Sequence, residues 1–230
     1  MAGTKVISLG GSIISPDKVD DLFLKEFYKT AIEYLETNRN NRLILVTGGG
    51  APAREYQRAY HEVSPQPDNN RADWIGIAAT RLNAALLAHI FSDECHDAVV
   101  DDPTGDFSFS GRILVASGWK PGFSTDYDAV LLAERFSAKH VINLSNIEQV
   151  YTDDPKKNQD AKPIQDITWI EFKKIVGEEW IPGKNVPFDP VATAHAAKIG
   201  LTVIFALGRD TENLKQILAD NPFSGTTIHP

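Results

Sequence analysis

The sequence predicts an α/β fold, a three-layer αβα sandwich around a largely parallel central sheet. Three observations carry that reading. Short aliphatic runs alternate with stretches of helical spacing from one end of the 230 residues to the other. The run Leu43-Ile44-Leu45-Val46 is aliphatic at every position, as a strand covered on both faces requires. The loops richest in glycine, hydroxyl and carboxylate groups all leave strands at their carboxyl ends, where open α/β sheets place their ligands.

The elements follow in order. Residues 5–9 form a first strand that turns at Gly10, Gly11 and Ser12. Capping chemistry at 17–21 precedes Leu24, Phe27, Tyr28, Ala31, Ile32 and Leu35, whose spacing makes an amphipathic helix that ends in the polar run 37–41. The second strand stops at Gly48-Gly49-Gly50, and 51–60 continues as a helix. Residues 64–70 read as a surface loop, and 73–91 as a long alanine- and leucine-rich helix with few charges. Short strands are expected at 98–100 and 113–116, separated by a polar excursion. A loop over 117–126 leads into a helix at 127–136. A strand at 140–144 and a long polar loop at 145–162 come next. A helix at 168–176, an irregular stretch at 177–187 and a helix opened by Asp189-Pro190 follow, with proline at its first turn. A strand at 202–205, a helix at 211–219 and a short strand at 225–228 complete the chain. No internal repeat, low-complexity tract or linker interrupts it, so residues 1–230 are read as a single domain.

Composition narrows the function. Hydrophobic residues at 42% and charged residues at 23% are those of an ordinary globular protein. A net charge of −8 argues against nucleic acid or an anionic membrane as partner, while leaving room for a local phosphate pocket. The single cysteine, Cys95, rules out an internal disulfide framework and is read as a buried or half-buried thiol. No apolar run approaches the roughly 18 residues of a membrane span, and no signal-peptide core is visible, so a cytoplasmic location is expected.

The chemistry lies in the loops. A glycine triplet after a buried strand lets a ligand approach backbone N–H groups, and the helix behind it adds unpaired donors and a positive dipole end that favour phosphate. A tight turn is the plain alternative. The chain repeats the pattern at Gly10-Gly11-Ser12, which favours the phosphate reading. Arg54, one turn into the second helix, adds a cation or else forms a surface ion pair. Ser124-Thr125-Asp126 offers two hydroxyls and free helix N–H groups to a phosphate, or serves as an ordinary N-cap. Asp128 brings a second carboxylate, so bound phosphates there would need magnesium or cations to offset the charge. In the loop after residue 144, a base could stack on Tyr151 with Asp154 accepting its polar edge; a structural role for Tyr151 fits equally. There is no GxxxxGK[ST], no GxGxxG and no Gly-x-Ser-x-Gly frame, and the six histidines lack metal-ligand spacing. His89 and His195, on apolar helices, read as packed or solvent-tipped residues rather than ligands. No metal ligands are assigned.

These pieces occur together in a recognisable order. Leu9-Gly10-Gly11-Ser12, Gly48-Gly49-Gly50 with Arg54, Asp73-Trp74-Ile75-Gly76-Ile77 and Thr80-Arg81-Leu82-Asn83-Ala84 occupy the first half. Pro121-Gly122-Phe123-Ser124-Thr125-Asp126, Val150-Tyr151-Thr152-Asp153-Asp154-Pro155-Lys156-Lys157, Asp189-Pro190 and Gly225-Thr226-Thr227-Ile228 follow. In this the chain resembles the amino-acid-kinase superfamily, and within it the archaeal-type uridylate (UMP) kinases. The resemblance implies transfer of the ATP γ-phosphoryl group to UMP with magnesium, a step of pyrimidine biosynthesis, in a homohexamer. It implies that Gly10, Gly11, Ser12, Gly50 and Arg54 meet ATP phosphates and that Ser145, Asn146, Tyr151 and Asp154 form the adenosine pocket. Gly49, Asp73 and the loop Trp119, Lys120, Pro121, Gly122, Phe123, Ser124 and Thr125 would bind UMP. Asp126 would organise the catalytic centre, with Arg54 as its cation. The N-terminal part would thus bind the acceptor and the C-terminal part ATP.

The sequence departs from that pattern at particular places. Many members carry a lysine two residues before the first glycine turn, where this chain has Ser8, while Lys5 points by strand alternation to the opposite face. The missing cation must come from Arg54, Lys120, Lys184 or magnesium. Trp119 stands where a small residue or threonine is usual, Ser124 replaces threonine, and Tyr127-Asp128 replaces small residues. In the adenosine loop, Asn-Ile-Glu-Gln-Val-Tyr lacks the usual glycine. Two alternatives follow: a kinase of the same fold acting on another small acid or phosphate ester, and a non-catalytic nucleotide- or oxyanion-binding homologue.

Overall fold

The computed structural model describes residues 3–153, 158–177 and 187–230. Strand alternation sets the layers. In β1 (Thr4–Leu9), Ile7 and Leu9 join one apolar cluster and Val6 joins another, so the strand is covered on both faces. β2 (Arg42–Thr47) splits likewise, with Leu43 and Leu45 on one side and Ile44 and Val46 on the other. β3 (Ile113–Ala116), β4 (His140–Ser145) and β8 (Thr202–Leu207) do the same. Such double coverage explains the near-continuous aliphatic runs in the sequence.

The seven-stranded sheet runs β3-β2-β1-β4-β8-β9-β7, with β7 (Asp166–Thr168) and β9 (Thr226–His229) at one edge. Every neighbouring pair is parallel except β8 with β9. α2 (Asp21–Thr37), α4 (Asn69–Ile90) and α8 (Thr211–Leu218) bring Phe23, Phe27, Leu35, Leu87, Leu214 and Ile217 to one face. α5 (Thr125–Arg135), α6 (Trp169–Val176) and α7 (Pro190–Ile199) bring Val130, Leu132, Phe172, Ala192 and Ala196 to the other. A side chain of this size, fully buried, contributes about 1.5–3 kcal/mol. Local chemistry starts the helices where expected: the Asp20 carboxylate accepts the Phe23 N–H at 3.1 Å, and Asp189 accepts the Val191 and Ala192 N–H groups with Pro190 following.

Several boundaries differ from the sequence reading. The turn at Gly10–Ser12 is the start of a short helix, α1 (Gly11–Ile14). α4 begins at Asn69, because Asp68 caps it from inside the stretch read as loop, accepting the Asn70 N–H at 3.0 Å. No strand forms at residues 98–100; Val100 makes a single bridge to Ala116. The long loop after β4 contains β5 (Val150–Tyr151), which pairs antiparallel with β6 (Pro163–Ile164). β7 was not foreseen: three residues pairing only at a sheet edge leave almost no periodic signal. Most of the irregular stretch at 177–187 lies outside the described residues.

The chain leaves β1, builds β2 and β3 outward on one side, then returns to place β4 on β1's other side. Between β1 and β4 is the topological switch point, where α/β sheets open a crevice at their carboxyl edge. Gly10 and Gly11 end β1 there, and Gly48–Gly50 end β2 beside them, leading into α3 (Gly50–Val63). The two turns meet backbone to backbone. A Cβ on Gly11 would lie 2.0 Å from the Gly50 nitrogen and 2.6 Å from Gly48 C and Gly49 N. Gly50 also has φ +68°, a conformation that favours glycine. Gly11→Ala is therefore expected to destabilise the protein by about 3 kcal/mol, read as a lower urea midpoint at an unchanged m-value. A wild-type midpoint would show that the turns do not touch as described.

Candidate functional site

The glycine turns form the floor of the crevice. The Gly48 N–H donates to Leu9 O and the Gly10 N–H to Leu144 O, each at 2.9 Å, so each turn is tied to the strand next door. Asn83, buried on α4, donates to the carbonyls of Gly48 at 2.7 Å and Gly49 at 3.3 Å. Arg54 lies across the mouth: its guanidinium donates to Ser12 Oγ and to Pro16 O, both at 3.1 Å. Gly10, Gly11, Ser12, Gly49, Gly50 and Arg54 are thus brought together. Some first-turn N–H groups here are already taken, Ile13 by Gly10 O and Ala51 by Ser15 O, each at 2.8 Å, and helix starts of this kind in general suit oxyanions.

Above the floor is a set of buried polar groups. Ser8 and Asn143 are register partners on β1 and β4, and both face α5. Ser8 Oγ donates to Asp126 Oδ1 at 3.2 Å, and Asn143 Nδ2 donates to the same oxygen at 2.9 Å. The lysine expected in many members is therefore replaced here by a hydroxyl that holds Asp126. Lys5 lies on the opposite face, as alternation requires, where it donates to Ile217 O and pairs with Asp220. Burial pushes the Asp126 carboxyl up to about 7, and the neighbouring Asp189 carboxylate adds to the rise. The Ser8 hydroxyl, the Asp189 backbone N–H and the Asn143 amide oppose it. Asp128, fully buried, is also pushed up to about 7, by burial first, with Asp126, Asp102 and Asp189 contributing. The Trp119 N–H, donated to Asp128 Oδ2 at 3.1 Å, pulls the other way.

A cavity of about 210 Å³ opens beside the second glycine turn. Gly49, Asp73, Thr80, Lys120, Gly122, Phe123, Ser124 and Thr125 are among its lining residues. The loop over it is held from three sides. Thr80 Oγ1 accepts the Gly118 N–H at 2.9 Å, Asp73 Oδ2 accepts the Gly122 N–H at 3.1 Å, and Ser124 Oγ caps α5 through the Tyr127 N–H at 3.2 Å. Lys120 Nζ sits 3.6 Å from the centre of the Trp119 ring, and Trp119, Phe123 and Tyr127 stack in succession at 5.2 and 5.1 Å. Pro121 is half-buried within this loop.

The remaining expected residues lie on the β4 side. Ser145 ends β4 next to Gly10, and its hydroxyl accepts the Ile147 N–H at 3.2 Å. Asn146 is exposed just beyond it, and Tyr151 is half-buried on β5. Asp154 and Lys184 lie outside the described residues. Among the described residues no three carboxylate, histidine or cysteine groups come together to hold a metal ion.

Sequence reasoning gave no part to Asn83, Thr80, Thr47, Asn143 or the Asp189 backbone. Thr47 Oγ1 donates to Thr80 O at 3.0 Å, linking β2 to α4. The usable signal was a polar residue in an otherwise apolar strand, as in His-Val-Ile-Asn-Leu at 140–144. On α4, the signal was a polar pair, Thr80 and Asn83, at three-residue spacing on a mostly apolar helix.

Comparison with known proteins agrees with this geometry. The model of the amino acid kinase family matches residues 3–206. The uridylate kinase of Methanospirillum hungatei is 34% identical over 228 residues, covering 98% of this chain and 94% of the relative. The uridylate kinase of Thermoplasma volcanium is 35% identical over 226 residues, covering 97% and 96%. The crystal structure of uridylate kinase from Archaeoglobus fulgidus superposes with a TM-score of 0.81 at 31% identity, covering 97% of this chain and 99% of that one.

The raised carboxyls have a measurable consequence. Asp126 and Asp128 go from an ordinary value of 3.8 to about 7, so between about pH 4 and pH 7 the folded state holds more protons than the unfolded chain. Their contribution to stability is therefore greatest below pH 4 and is lost as pH rises to 7. The double variant Asp126→Asn, Asp128→Asn removes this loss. Its stability relative to wild type, from urea unfolding, is expected to rise from pH 5 to about pH 7 and then to level off. A difference that stays flat with pH would mean the two carboxyls titrate normally.

Proposed function

The chain belongs to the amino acid kinase family, and from that premise we propose that it transfers the γ-phosphoryl group of ATP to UMP, giving UDP and ADP. The observation that carries the proposal is the junction of the two glycine turns. It puts an oxyanion-binding floor and Arg54 on one side, the 210 Å³ cavity on the other, and Asp126 above both. Gly10, Gly11, Ser12, Gly50 and Arg54 would hold the donor phosphates, with Ser145, Asn146, Tyr151 and Asp154 toward the adenosine. Gly49, Asp73 and Trp119, Lys120, Pro121, Gly122, Phe123, Ser124 and Thr125 would hold UMP. The N-terminal part of the chain thus serves the acceptor and the C-terminal part serves ATP.

Phosphoryl transfer asks for in-line positioning and charge compensation more than for covalent help. The second ionisation of a phosphate monoester lies near pH 6, so UMP arrives as its own nucleophile and no residue need deprotonate it. Asp126 acts as an organiser: gripped by Ser8 and Asn143, it holds the start of α5 in register with β1 and β4. A magnesium ion carried by the phosphates would offset part of their charge. Arg54 and Lys120 supply the protein's share of positive charge at the mouth and in the cavity.

A homo-oligomer, a hexamer by resemblance, belongs to the same proposal. Tyr56 and Val63 on α3 and Trp74 and Leu82 on α4 are exposed apolar residues that a subunit contact would cover. No helix among the described residues is long and apolar enough to cross a membrane, and a role in the cytoplasm, where ATP and UMP are available, accords with the reading.

The test is UMP-dependent ADP release at saturating ATP and magnesium, with other nucleoside monophosphates, carboxylates and carbamate as competing acceptors. UMP is expected to give the highest kcat/KM; silence with UMP would end the proposal, and tight ATP binding without transfer to any acceptor would favour a non-catalytic homologue. Asp126→Asn is expected to lower kcat by about 10²-fold, the cost of misplacing reacting groups by about an ångström. An unchanged kcat would remove Asp126 from the mechanism.

A further inference from the structure

Asp128 is a buried carboxyl that phosphoryl transfer as described does not need. It lies on the first turns of α5, two residues beyond Asp126, and has no accessible surface. One oxygen, Oδ2, accepts the Trp119 N–H at 3.1 Å; the other, Oδ1, is buried with no hydrogen-bond partner among the described residues. Removing one partner from a buried carboxylate is costly, so leaving Oδ1 unmatched is an expense that calls for a role. The Trp119 N–H is the first donor of the acceptor loop itself, directly after the Gly118 N–H that Thr80 holds. Thr80 and Asp73 anchor the loop to α4, whereas Asp128 takes a loop N–H from α5, where Phe123 also stacks on Tyr127, and the Trp119 side chain bonds Asp102.

We propose that Asp128 is a positioning residue whose ionised carboxylate ties the acceptor loop to the helix turn that carries Asp126, and that uptake of a proton releases the loop and weakens acceptor binding. The inference rests on the assignment of this cavity to the acceptor. An N–H···O bond to a carboxylate is about twice as strong as one to a neutral acid, so protonation loosens the tie without breaking the fold. The charged groups acting on Asp128 are Asp126 on its own helix, Asp102 in the segment after Val100, and Asp189 at the start of α7; all three are acidic and favour the proton. Of the other titratable groups on elements packed against α5, His195 of α7 pairs with Glu134 and meets the Tyr127 ring edge-on. Lys198 lies near the far end of α7, and Lys5, Arg42 and His140 lie at the far ends of their strands. Lys120, the loop's own cation, is over the Trp119 ring. Burial then brings the carboxyl up to about 7, which puts the release within the range of ordinary cell pH.

The experiment compares wild type, Asp128→Asn and Asp128→Val from pH 6 to pH 8. If only the ionised form holds the loop, the fraction competent to bind falls about tenfold between pH 8 and pH 6, and KM for UMP rises by the same factor. Asp128→Asn keeps a carbonyl acceptor that cannot titrate, so its KM is expected to lose that dependence. Asp128→Val has no acceptor, so at every pH its KM is expected to be at least as high as that of wild type at pH 6, and at pH 8 at least about tenfold above wild type. UMP's own ionisation affects all three proteins alike and cancels in the ratios. The proposal is overturned if Asp128→Asn keeps the wild-type pH dependence of KM, or if Asp128→Val binds UMP as wild type does. A second measurement needs no substrate: the Trp119 backbone amide, followed by NMR in the ligand-free protein, is expected to titrate near pH 7 in wild type and not in Asp128→Asn. If UMP proves not to be a substrate, that arm decides alone. A titrating amide then upholds the tie while the acceptor assignment falls, and an amide that behaves identically in both proteins overturns the tie.

Discussion

The contact between the Gly10-Gly11 and Gly48–Gly50 turns is the constraint on which the rest of the structure depends. Two adjacent parallel strands end at the same height, and their turns approach so closely that a single Cβ on Gly11 would meet a backbone nitrogen at 2.0 Å. That approach puts the starts of α1 and α3 side by side and brings Arg54 of α3 onto Ser12 of α1. Asn83 on α4 then closes the arrangement from below by satisfying two carbonyls that the sharp turn leaves free. These glycines serve packing and ligand access together, because both require bare backbone.

Around that junction the chain has replaced charge with hydrogen bonding. A lysine at position 8 would neutralise Asp126; here a serine and an asparagine grip it instead. A hydrogen-bonded carboxylate keeps its geometry but receives less compensation than one facing a cation. With Asp189 and Asp128 close by, burial outweighs the donors, and both carboxyls rise to about 7. The site's cations stand at its margins, with Arg54 across the mouth and Lys120 on the loop. A polyanion in this crevice would therefore meet less buried positive charge than in a site with its own buried lysine.

The loop before α5 shows how few residues are needed to hold an irregular segment. Between Gly118 and Ser124 it has no regular secondary structure, yet Thr80, Asp73 and Asp128 each take one of its backbone N–H groups. Two of these anchors belong to α4 and one to α5, so the loop spans the two helix layers across the carboxyl edge of the sheet. The rings of Trp119, Phe123 and Tyr127 pack against one another in succession and add apolar contact. A bulky tryptophan, unexpected from the family pattern, thus has a place in the packing of this chain.

The sequence by itself determined the αβα architecture, the glycine turns, capping chemistry at 17–21 and a helix start at Asp189-Pro190, and the candidate residues around Gly10, Gly48 and Ser124. Those features are local, because aliphatic alternation, glycine and capping side chains act within a few residues of themselves. It also placed Lys5 and Ser8 on opposite faces, since strand alternation needs no partner to be read. The tertiary structure alone decided what crosses the chain. Ser8 meets Asp126 over 118 positions, Asn83 reaches Gly48 over 35, and Thr80 holds Gly118 over 38. Short edge pairs such as β5 with β6 form only because partners are brought to them, and the upward shift of Asp126 and Asp128 comes from burial, which composition cannot express. Periodicity is written in neighbours; the grip on the carboxyls and on the acceptor loop is written in distances through space.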